Sequence, residues 1–440
     1  MNRLLLLLLV PSLAIAAPAK APDCTVVLGA RAHLPEGAED GITAVVADGR
    51  IAALGASITG LGAPGDGGID WNGRRCAFVD GQGLHLSAGL IEPHSTVGLV
   101  EIGLEAGTRH HDAGGPSPVR AHVRVLDGYD PLSAVIPVAR REGITAAVIQ
   151  PGGGSFSGGA GAVLLTGRTQ AEAVVRDAQS RDVGREVAVR ANLAVGNSFS
   201  ARLAHLRSVL EETRSYLDDR RGWRAGLGTR PGAPPEESLA ALAGVVEGEV
   251  PLILAADRAS DLEVLSIFAT QQGIQLVIEG AAEGWLVAEQ LARAEIAVVL
   301  NPYVYGPGGF DQMHGRKDNG ALLVSAGVRV MISTRSGHFA RKLRQMAGNA
   351  VRGGMTHQDA LAAITSVPAA VFGLGSRGRL AVGTAADVVL WNGDPLEVTS
   401  WPVQMWIGGL SQSLESRQSQ LMERYRSLPG SPAAPLSLPE

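Results

Sequence analysis

Two groups of residues in this chain have the types and spacing needed for acid–base or metal chemistry. His110, His111 and Asp112 are adjacent in a glycine-rich stretch, and Glu101 and Glu105 lie four residues apart. A loop can fold two imidazoles and a carboxylate around a cation, and two carboxylates on one helix face can act as acid and base. Each group is also typical of a solvated surface, and we expect this simpler interpretation for both.

A third candidate is the glycine-rich run from Gly152 to Gly161. Its backbone N–H groups could bind an anion, but it lacks the Gly-Lys-Ser/Thr ending of a phosphate-binding loop, and no clear helix follows it. We therefore predict a tight loop. The sequence contains no Gly-x-Ser-x-Gly nucleophile elbow. Four further histidines are isolated in sequence and are predicted to be structural or exposed: His122, His205, His314 and His357.

The N-terminal residues predict export. Asn2 and Arg3 precede the apolar run 4–10, and small residues follow, which is typical of a cleaved signal peptide over 1–19. The run is too short for a membrane-spanning helix, so we expect a periplasmic or secreted protein with no membrane span after cleavage. Two cysteines in an exported chain allow one Cys24–Cys76 disulfide, although two unpaired buried thiols fit the sequence equally well.

The net charge argues against two kinds of partner, nucleic acid and a membrane surface. The net charge is -5 at pH 7, which provides no basic surface for nucleic acid. It also provides no polybasic patch for a membrane surface.

The spacing of apolar residues predicts the strands and helices that would position a site. Residues 24–87 predict short strands, including a hairpin around Asp48-Gly49, because both turn positions need positive φ. Apolar strands then alternate with helices, at 144–149, 251–255, 274–278, 296–300 and 328–332. This alternation predicts an α/β protein with a TIM-like (β/α)8 barrel over 88–375, with a doubly wound open sheet as the alternative. Residues 168–248 predict a helical insertion, and residues 411–440 predict a C-terminal helix and a tail.

Three segments resemble the amidohydrolase superfamily, in particular its imidazolonepropionase-like members. They are the hairpin 45–55, the run Ser87-Ala88-Gly89-Leu90-Ile91-Glu92-Pro93-His94 and the run 378–391, which includes Gly383-Thr384-Ala385-Ala386-Asp387. The resemblance implies a metal-dependent hydrolase barrel and a small β-sandwich domain built from both chain ends, at 23–87 and 376–410. Because a fold does not establish a function, the site requires separate argument.

The resemblance also implies where a catalytic metal would bind. The family's ligand positions fall on His94 and Thr96 of the first barrel strand and on Ala255, Gly280 and Arg335 of later strands. Only His94 retains a family ligand, whereas a metal site takes three or four. Arg335 is adverse, because its charge at about 4 Å from a divalent ion would oppose binding by about 8 kcal/mol at an effective dielectric constant of about 20.

We predict that the vacated pocket holds an ion pair between Asp257 and Arg335, or that Arg335 shares a carboxylate such as Glu92. An Arg335 side chain that extends into solvent is the alternative. His338 is expected near the pocket mouth or at a helix start.

The sequence therefore predicts a catalytically degenerate, exported amidohydrolase relative that has no metal cofactor. It would bind a small molecule or an active relative, and it could form an oligomer. The alternative is an active hydrolase of non-peptide C–N or similar bonds with an altered site, which would need zinc or another divalent metal. A purely structural subunit is a third class.

Overall fold

The computed structural model describes residues 24–65, 67–112, 114–175, 186–192, 198–226, 232–303 and 308–426. The predicted signal peptide and the tail beyond residue 426 lie outside these residues. Within the described ranges, no helix combines the length and the apolar character needed to cross a membrane.

A small β domain is built from both ends of the chain. Its strands are β1 (Cys24–Leu34), β2 (Gly37–Ala47), β3 (Arg50–Gly55), β4 (Ile69–Trp71), β5 (Arg74–Asp80), β6 (His85–Ala88), β15 (Val388–Trp391), β16 (Pro402–Ile407) and β17 (Leu410–Ser411). The main path of this nine-stranded sheet runs β17-β16-β15-β6-β1-β2-β3, with β5 also paired to β1. One apolar cluster contains Val46 and Ile51 from the first part of the chain with Val388 and Leu390 from the last. The two chain ends therefore share a core, as predicted.

Local sequence explains two features of this domain. Asp48 and Gly49 both have positive φ, at 52° and 75°, and they form the turn of the β2–β3 hairpin. Cys24 on β1 and Cys76 on β5 are joined by a disulfide across 52 residues, so the bridge that the sequence allowed is present. Both sulfur-bearing side chains are buried in an apolar cluster with Val26 and Ile69.

The second sheet forms the barrel. Its strands are β7 (Leu90–Ser95), β8 (Ile144–Ile149), β9 (Phe156–Leu164), β10 (Ala188–Ala191), β11 (Leu252–Ala256), β12 (Leu276–Gly280), β13 (Ala297–Leu300) and β14 (Val330–Ile332). They lie in the order β14-β13-β12-β11-β10-β9-β8-β7, and the end strands β7 and β14 lie side by side. Five of these strands were predicted, because strands buried on both faces have continuous apolar sequences.

Helices surround the barrel and connect its strands. They are α1 (Val135–Arg140), α2 (Gln170–Ala173), α3 (Phe199–Asp218), α4 (Arg220–Arg224), α5 (Glu236–Ala241), α6 (Ala243–Val246), α7 (Ala259–Gln272), α8 (Ala288–Arg293), α9 (Asn319–Ser325), α10 (Leu343–Arg352), α11 (His357–Ala362), α12 (Ser366–Val371) and α13 (Arg417–Tyr425), with 3-10 turns at Ala106–Thr108, Val125–Gly128, Gly284–Val287 and Ala340–Lys342. Helix α7 shows why they form: Leu262, Leu265 and Phe268 are fully buried on one face, and Gly273 ends the helix in the left-handed conformation.

The glycine-rich run contradicts one prediction. Its second half is not a loop but the start of β9, which runs antiparallel to both β8 and β10. The glycines permit close packing: a Cβ at Gly158 would lie 2.4 Å from the carbonyl oxygen of Val123, and one at Gly161 would lie 2.3 Å from Leu126 Cγ. The segment before α1 therefore packs directly on this strand, and the barrel is not parallel throughout.

The predicted insertion over 168–248 also needs correction. It does contain helices α2 to α6, but strand β10 lies within it and completes the barrel between β9 and β11. Unlike the predicted strands β13 and β14, β10 contains a charged residue, Arg190, so it does not form a continuous apolar run among its helical neighbours. Its pairing with β11, in which Arg190 lies opposite Ile253, places Arg190 in the barrel.

Candidate functional site: the polar centre of the barrel

Three charged side chains from different barrel strands meet inside the barrel. Arg190 of β10 donates from Nη1 to Glu279 Oε2 of β12 at 2.7 Å, and His94 Nδ1 of β7 lies 2.6 Å from Glu279 Oε1. The Glu279 side chain is 1% exposed, so these two neighbours replace water around its carboxylate. Arg190 also donates to Gln150 at the end of β8, and Gln150 donates to the carbonyl oxygen of Pro93. Four strands thereby contribute to one connected polar group.

The charge states of this group follow from its surroundings. Burial favours a raised pKa for Glu279, but the neighbouring His94 and Arg190 outweigh it and hold that pKa at about 2. Burial lowers the pKa of His94, and the guanidinium groups of Arg190 and Arg335 lower it further, against the effect of Glu279. We therefore assign an ionised Glu279 paired with the permanent cation Arg190. The group is electrically balanced without an added ion.

Glu92 forms a second buried polar group where β7 meets β14. Its side chain is 0% exposed and accepts hydrogen bonds from the Ser333 hydroxyl, from the Thr334 hydroxyl at 3.1 Å and from the His94 backbone N–H at 3.3 Å. Burial raises the pKa of Glu92 to about 7, although these hydrogen bonds act in the opposite direction. Side-chain hydrogen bonds therefore tie together the first and last strands of the barrel.

Protonation of Glu92 gives a testable pH dependence. A folded pKa of about 7, above the ordinary 4.5, means that the folded state holds the proton more tightly between these values. The stabilising contribution is therefore fully present below about pH 4.5 and is lost as the pH rises through 7. Glu92→Gln stays uncharged, so we expect urea unfolding to show a smaller loss of stability from pH 5 to pH 8 than in the unaltered chain. Glu289→Gln, at an exposed site, is the control; parallel curves for Glu92→Gln and the unaltered chain would contradict this assignment.

The other positions implied by the resemblance do not offer metal ligands. Thr96 Oγ1 accepts from the Gly337 backbone N–H at 3.2 Å, so its hydroxyl holds the loop that follows β14. Ala255 is exposed at the barrel mouth, and its methyl side chain has no atom that could bind a metal. Gly280 has a φ of 108°, and a Cβ there would lie 2.4 Å from Asp257 Oδ1. The Asp257 carboxylate thus occupies the space that a side chain at position 280 would need.

The predicted Asp257–Arg335 ion pair is wrong. Asp257 accepts from Gln312 Nε2 at 2.8 Å and from the Ala282 backbone N–H at 3.1 Å. Arg335 is exposed and forms no salt bridge with any carboxylate in the described ranges, Glu92 included. Its φ is 53°, a left-handed conformation that turns the chain just after β14, so the side chain leaves the barrel interior. Asp257 and Arg335 still line one cleft at the barrel mouth. Solvent in this cleft can hydrate both charges, so an ion pair between them is not needed.

The barrel centre does not fit the divalent metal that the resemblance implies. A metal site takes three or four ligands, and His94 is the one family ligand present among the five positions. His94 Nδ1 and Glu279 Oε1 are buried without an aligned hydrogen bond, but they are 2.6 Å apart. A separation of 2.6 Å is that of a direct contact between an imidazole nitrogen and a carboxylate oxygen. The guanidinium of Arg190 also opposes a second cation here.

The remaining sequence candidates have separate structural roles. Glu101 accepts from the Ser133 hydroxyl and from the Ala134 backbone N–H at 2.9 Å before α1, whereas Glu105 accepts from the Gly107 N–H at 3.2 Å. They therefore cap different turns and do not share a helix. His338 is exposed in the segment between β14 and the 3-10 turn at Ala340–Lys342.

The histidine-rich loop and the isolated histidines form no metal site in the barrel. His111 is half-buried, with its pKa lowered by burial, and Asp112 is exposed. Three of the isolated histidines contact a hydroxyl or a carboxylate each: His122 with Ser238 at 2.7 Å, His205 with Ser155 at 3.0 Å and His314 with Glu283 at 3.0 Å.

Sequence reasoning missed three residues of the polar centre, namely Arg190, Glu279 and Gln150. Glu279 and Gln150 stand at the ends of otherwise apolar strands, and a polar residue at the carboxyl end of a barrel strand is a usable signal. Arg190 gave no such signal, because β10 was taken for part of a helical region.

Comparison with known proteins agrees with this architecture. A family model described as the amidohydrolase family matches residues 315–415. The amidohydrolase tasK of Hapsidospora irregularis is 25% identical over 368 residues, which cover 76% of this chain but only 37% of that relative. The chain therefore corresponds to well under half the length of this curated relative.

Solved structures show the same fold. An amidohydrolase from Thermotoga maritima MSB8 has a TM-score of 0.73 at 21% identity, covering 88% of this chain and 99% of that one. Molinate hydrolase has a TM-score of 0.51 at 16% identity, covering 90% of this chain and 96% of that one. The barrel, the β domain shared by both chain ends and the sequence matches agree: this chain has the amidohydrolase fold, and its sequence is similar to the amidohydrolase family over residues 315–415.

Proposed function

We propose that this chain is a catalytically degenerate amidohydrolase that binds a small anionic molecule at the barrel mouth and does not hydrolyse it. The observation that supports this most strongly is the Arg190–Glu279–His94 group. It fills the barrel centre with a balanced set of charges where a hydrolase would need open ligand positions. A barrel centre that lacks these ligand positions would not hold the metal-bound water that serves as the nucleophile in a metal-dependent hydrolase.

The cation at the mouth supports an anionic ligand. Arg335 lines a cleft together with Lys317 and Asn301, and its guanidinium is exposed without a carboxylate partner in the described ranges. A non-glycine residue at a φ of 53° is in an uncommon conformation, which costs about 1 kcal/mol or more and persists where surrounding structure imposes it. A planar guanidinium can bind a carboxylate or a phosphate through two parallel hydrogen bonds.

Apolar side chains lie in the loops that follow strands β13 and β14. Phe310, after β13, is 88% exposed and Phe339, after β14, is 52% exposed. Exposed aromatic side chains in these loops would suit a ligand with an apolar body and an anionic head.

Binding of phenylacetate tests this proposal. We expect calorimetry to show phenylacetate binding to the full chain, with phenylacetamide, its uncharged analogue, at least ten-fold weaker. Arg335→Gln should weaken phenylacetate binding by about ten-fold or more, because a charge-assisted hydrogen bond is lost. The matched control, Arg293→Gln on helix α8, removes an exposed arginine elsewhere and should change the affinity less than two-fold. Equal binding of acid and amide would contradict the anionic site.

The alternative, an active hydrolase of C–N or similar bonds, requires a different result. Metal-dependent release of amine from simple amides that is abolished by His94→Ala would establish it and would overturn the degenerate site. Export is also part of the proposal, and it is supported by the Cys24–Cys76 disulfide, since such bonds persist outside the reducing cytosol. An active relative as binding partner remains a further proposal.

A further inference from the structure

A cluster of three histidines and one aspartate lies away from the barrel mouth, where the β domain meets the barrel. His33 is on β1, His85 is on β6, Asp394 follows β15, and His357 is the first residue of α11. His33 is 8% exposed, and His85 and Asp394 are half-buried. A surface cleft of about 350 Å³ opens beside them and is lined by His33, His357 and Arg379 among others. We call this region the seam cluster.

The donor atoms of the seam cluster converge. His33 Nε2 and His85 Nδ1 are 3.0 Å apart, and one nitrogen or oxygen from each of His33, His85 and Asp394 lies within 4.8 Å of the others. Two imidazole nitrogens on a tetrahedral ion would be about 3.3 Å apart, given bonds of about 2.05 Å. A shift of a few tenths of an ångström would therefore convert the contact between the two rings into coordination of one ion.

Asp394 is held in place by two hydrogen bonds to one of its carboxylate oxygens. Its Oδ1 accepts from His357 Nε2 at 2.8 Å and from the Leu396 backbone N–H at 2.8 Å, and no hydrogen bond to its Oδ2 is recorded among the described residues. Ligating carboxylates typically have such partners on the other oxygen, which fix the direction of the free one. His357 also stacks on His33, with ring centroids 5.5 Å apart, so one residue positions two of the three donors.

The charge states are suitable for binding. Burial lowers the pKa of His33 to about 4, and burial likewise lowers the pKa of His85. The pKa of Asp394 is held at about 2, because its hydrogen bonds and the nearby histidines outweigh its burial. Coordination needs only that each imidazole carry its proton on the nitrogen facing away from the ion.

We propose that His33, His85 and Asp394 bind a divalent transition-metal ion of the zinc or cobalt type, with the remaining coordination position open to the cleft. Two imidazoles and one carboxylate are a common donor set for such ions. Because the donors come from β1, β6 and the segment after β15, and His357 comes from the barrel, the ion would fasten both chain ends and the barrel together. Nothing in this site depends on the barrel centre.

Titration of chelator-treated full-length protein with Co²⁺ tests this proposal. We expect one Co²⁺ per chain at pH 7.5, with visible absorption bands, displaced by Zn²⁺. His85→Gln and Asp394→Asn should each weaken binding by about 100-fold, and His357→Gln by about 10-fold, as for a residue that orients a ligand. The matched control His314→Gln removes a histidine whose side chain is 69% exposed and should leave the affinity within two-fold.

Two binding results would overturn the seam site, and a labelling result provides a third test. One is the absence of Co²⁺ and Zn²⁺ binding at concentrations up to about 100 µM, a range far above that of structural zinc sites. The other is binding that survives His85→Gln and Asp394→Asn but is lost in His94→Gln, which would move the ion to the barrel. Labelling of the unaltered chain with diethylpyrocarbonate gives a measurement that does not depend on the folding of variants. Zn²⁺ should protect His85 but not His314, and equal labelling of His85 with and without Zn²⁺ would also overturn the proposal.

Discussion

Glu279→Gln is expected to lower the free energy of unfolding by about 3–5 kcal/mol at pH 7, which is the usual effect of removing one partner of a buried ion pair. Glu279 is 1% exposed and Arg190 is 14% exposed, so the remaining guanidinium would stay buried without a counter-charge. The exposed pair Arg293–Glu289, with an N–O distance of 2.6 Å, is a matched control. There, Glu289→Gln should cost less than about 1 kcal/mol, because water screens the pair.

The same variant has a defined pH signature. The pKa of Glu279 is depressed to about 2 from an ordinary 4.5, so its contribution to stability is present above about pH 4.5 and is lost as the pH falls toward 2. The difference between the unaltered chain and Glu279→Gln should therefore shrink in this range. Urea unfolding at pH 7 and pH 3 measures it. A loss below 1 kcal/mol at pH 7 would mean that the polar centre is open to water, and it would weaken the argument against a metal there.

The double substitution Cys24→Ala/Cys76→Ala is expected to lower the free energy of unfolding by about 4 kcal/mol, from the entropy of closing a loop of this length in the unfolded chain. The cysteines are separated by 52 residues and are 3% and 1% exposed. Alanine fits the apolar cluster around them, so most of the loss should come from the missing bond. Urea unfolding of the variant, and of the unaltered chain with and without a reductant, measures this effect.

Reduction of the disulfide and its removal by substitution should have the same effect on the free energy of unfolding. Reduction of the unaltered chain should lower its stability by nearly the same amount as the double substitution, while the reductant should leave the variant unchanged. Two free thiols in unfolded, unreduced protein, or a double variant as stable as the unaltered chain, would contradict the assigned bridge.

Local chemistry determined much of the fold from the sequence alone. Asp48-Gly49 predicted a hairpin because both residues tolerate positive φ, and both have it. The apolar runs at 144–149 and 296–300 predicted buried barrel strands because a strand covered on both faces needs apolar residues throughout. The substitutions Thr96 and Ala255 likewise indicated an incomplete metal site, because neither side chain can replace imidazole on zinc.

Tertiary structure alone decided what fills that site and where other donors meet. The Asp257–Arg335 pair was a sound expectation for two charges at one barrel mouth, but a backbone φ of 53° directs Arg335 outward, and Arg190 from an unpredicted strand pairs with Glu279 instead. The sequence pattern did not identify β10, because Arg190 interrupts its apolar residues, and its place in the barrel is set by pairing with β11. The seam cluster joins positions 33, 85, 357 and 394, which lie far apart in the chain. Only strand register and the packing of the β domain on the barrel bring them together, because no local pattern encodes contacts between segments so distant in sequence.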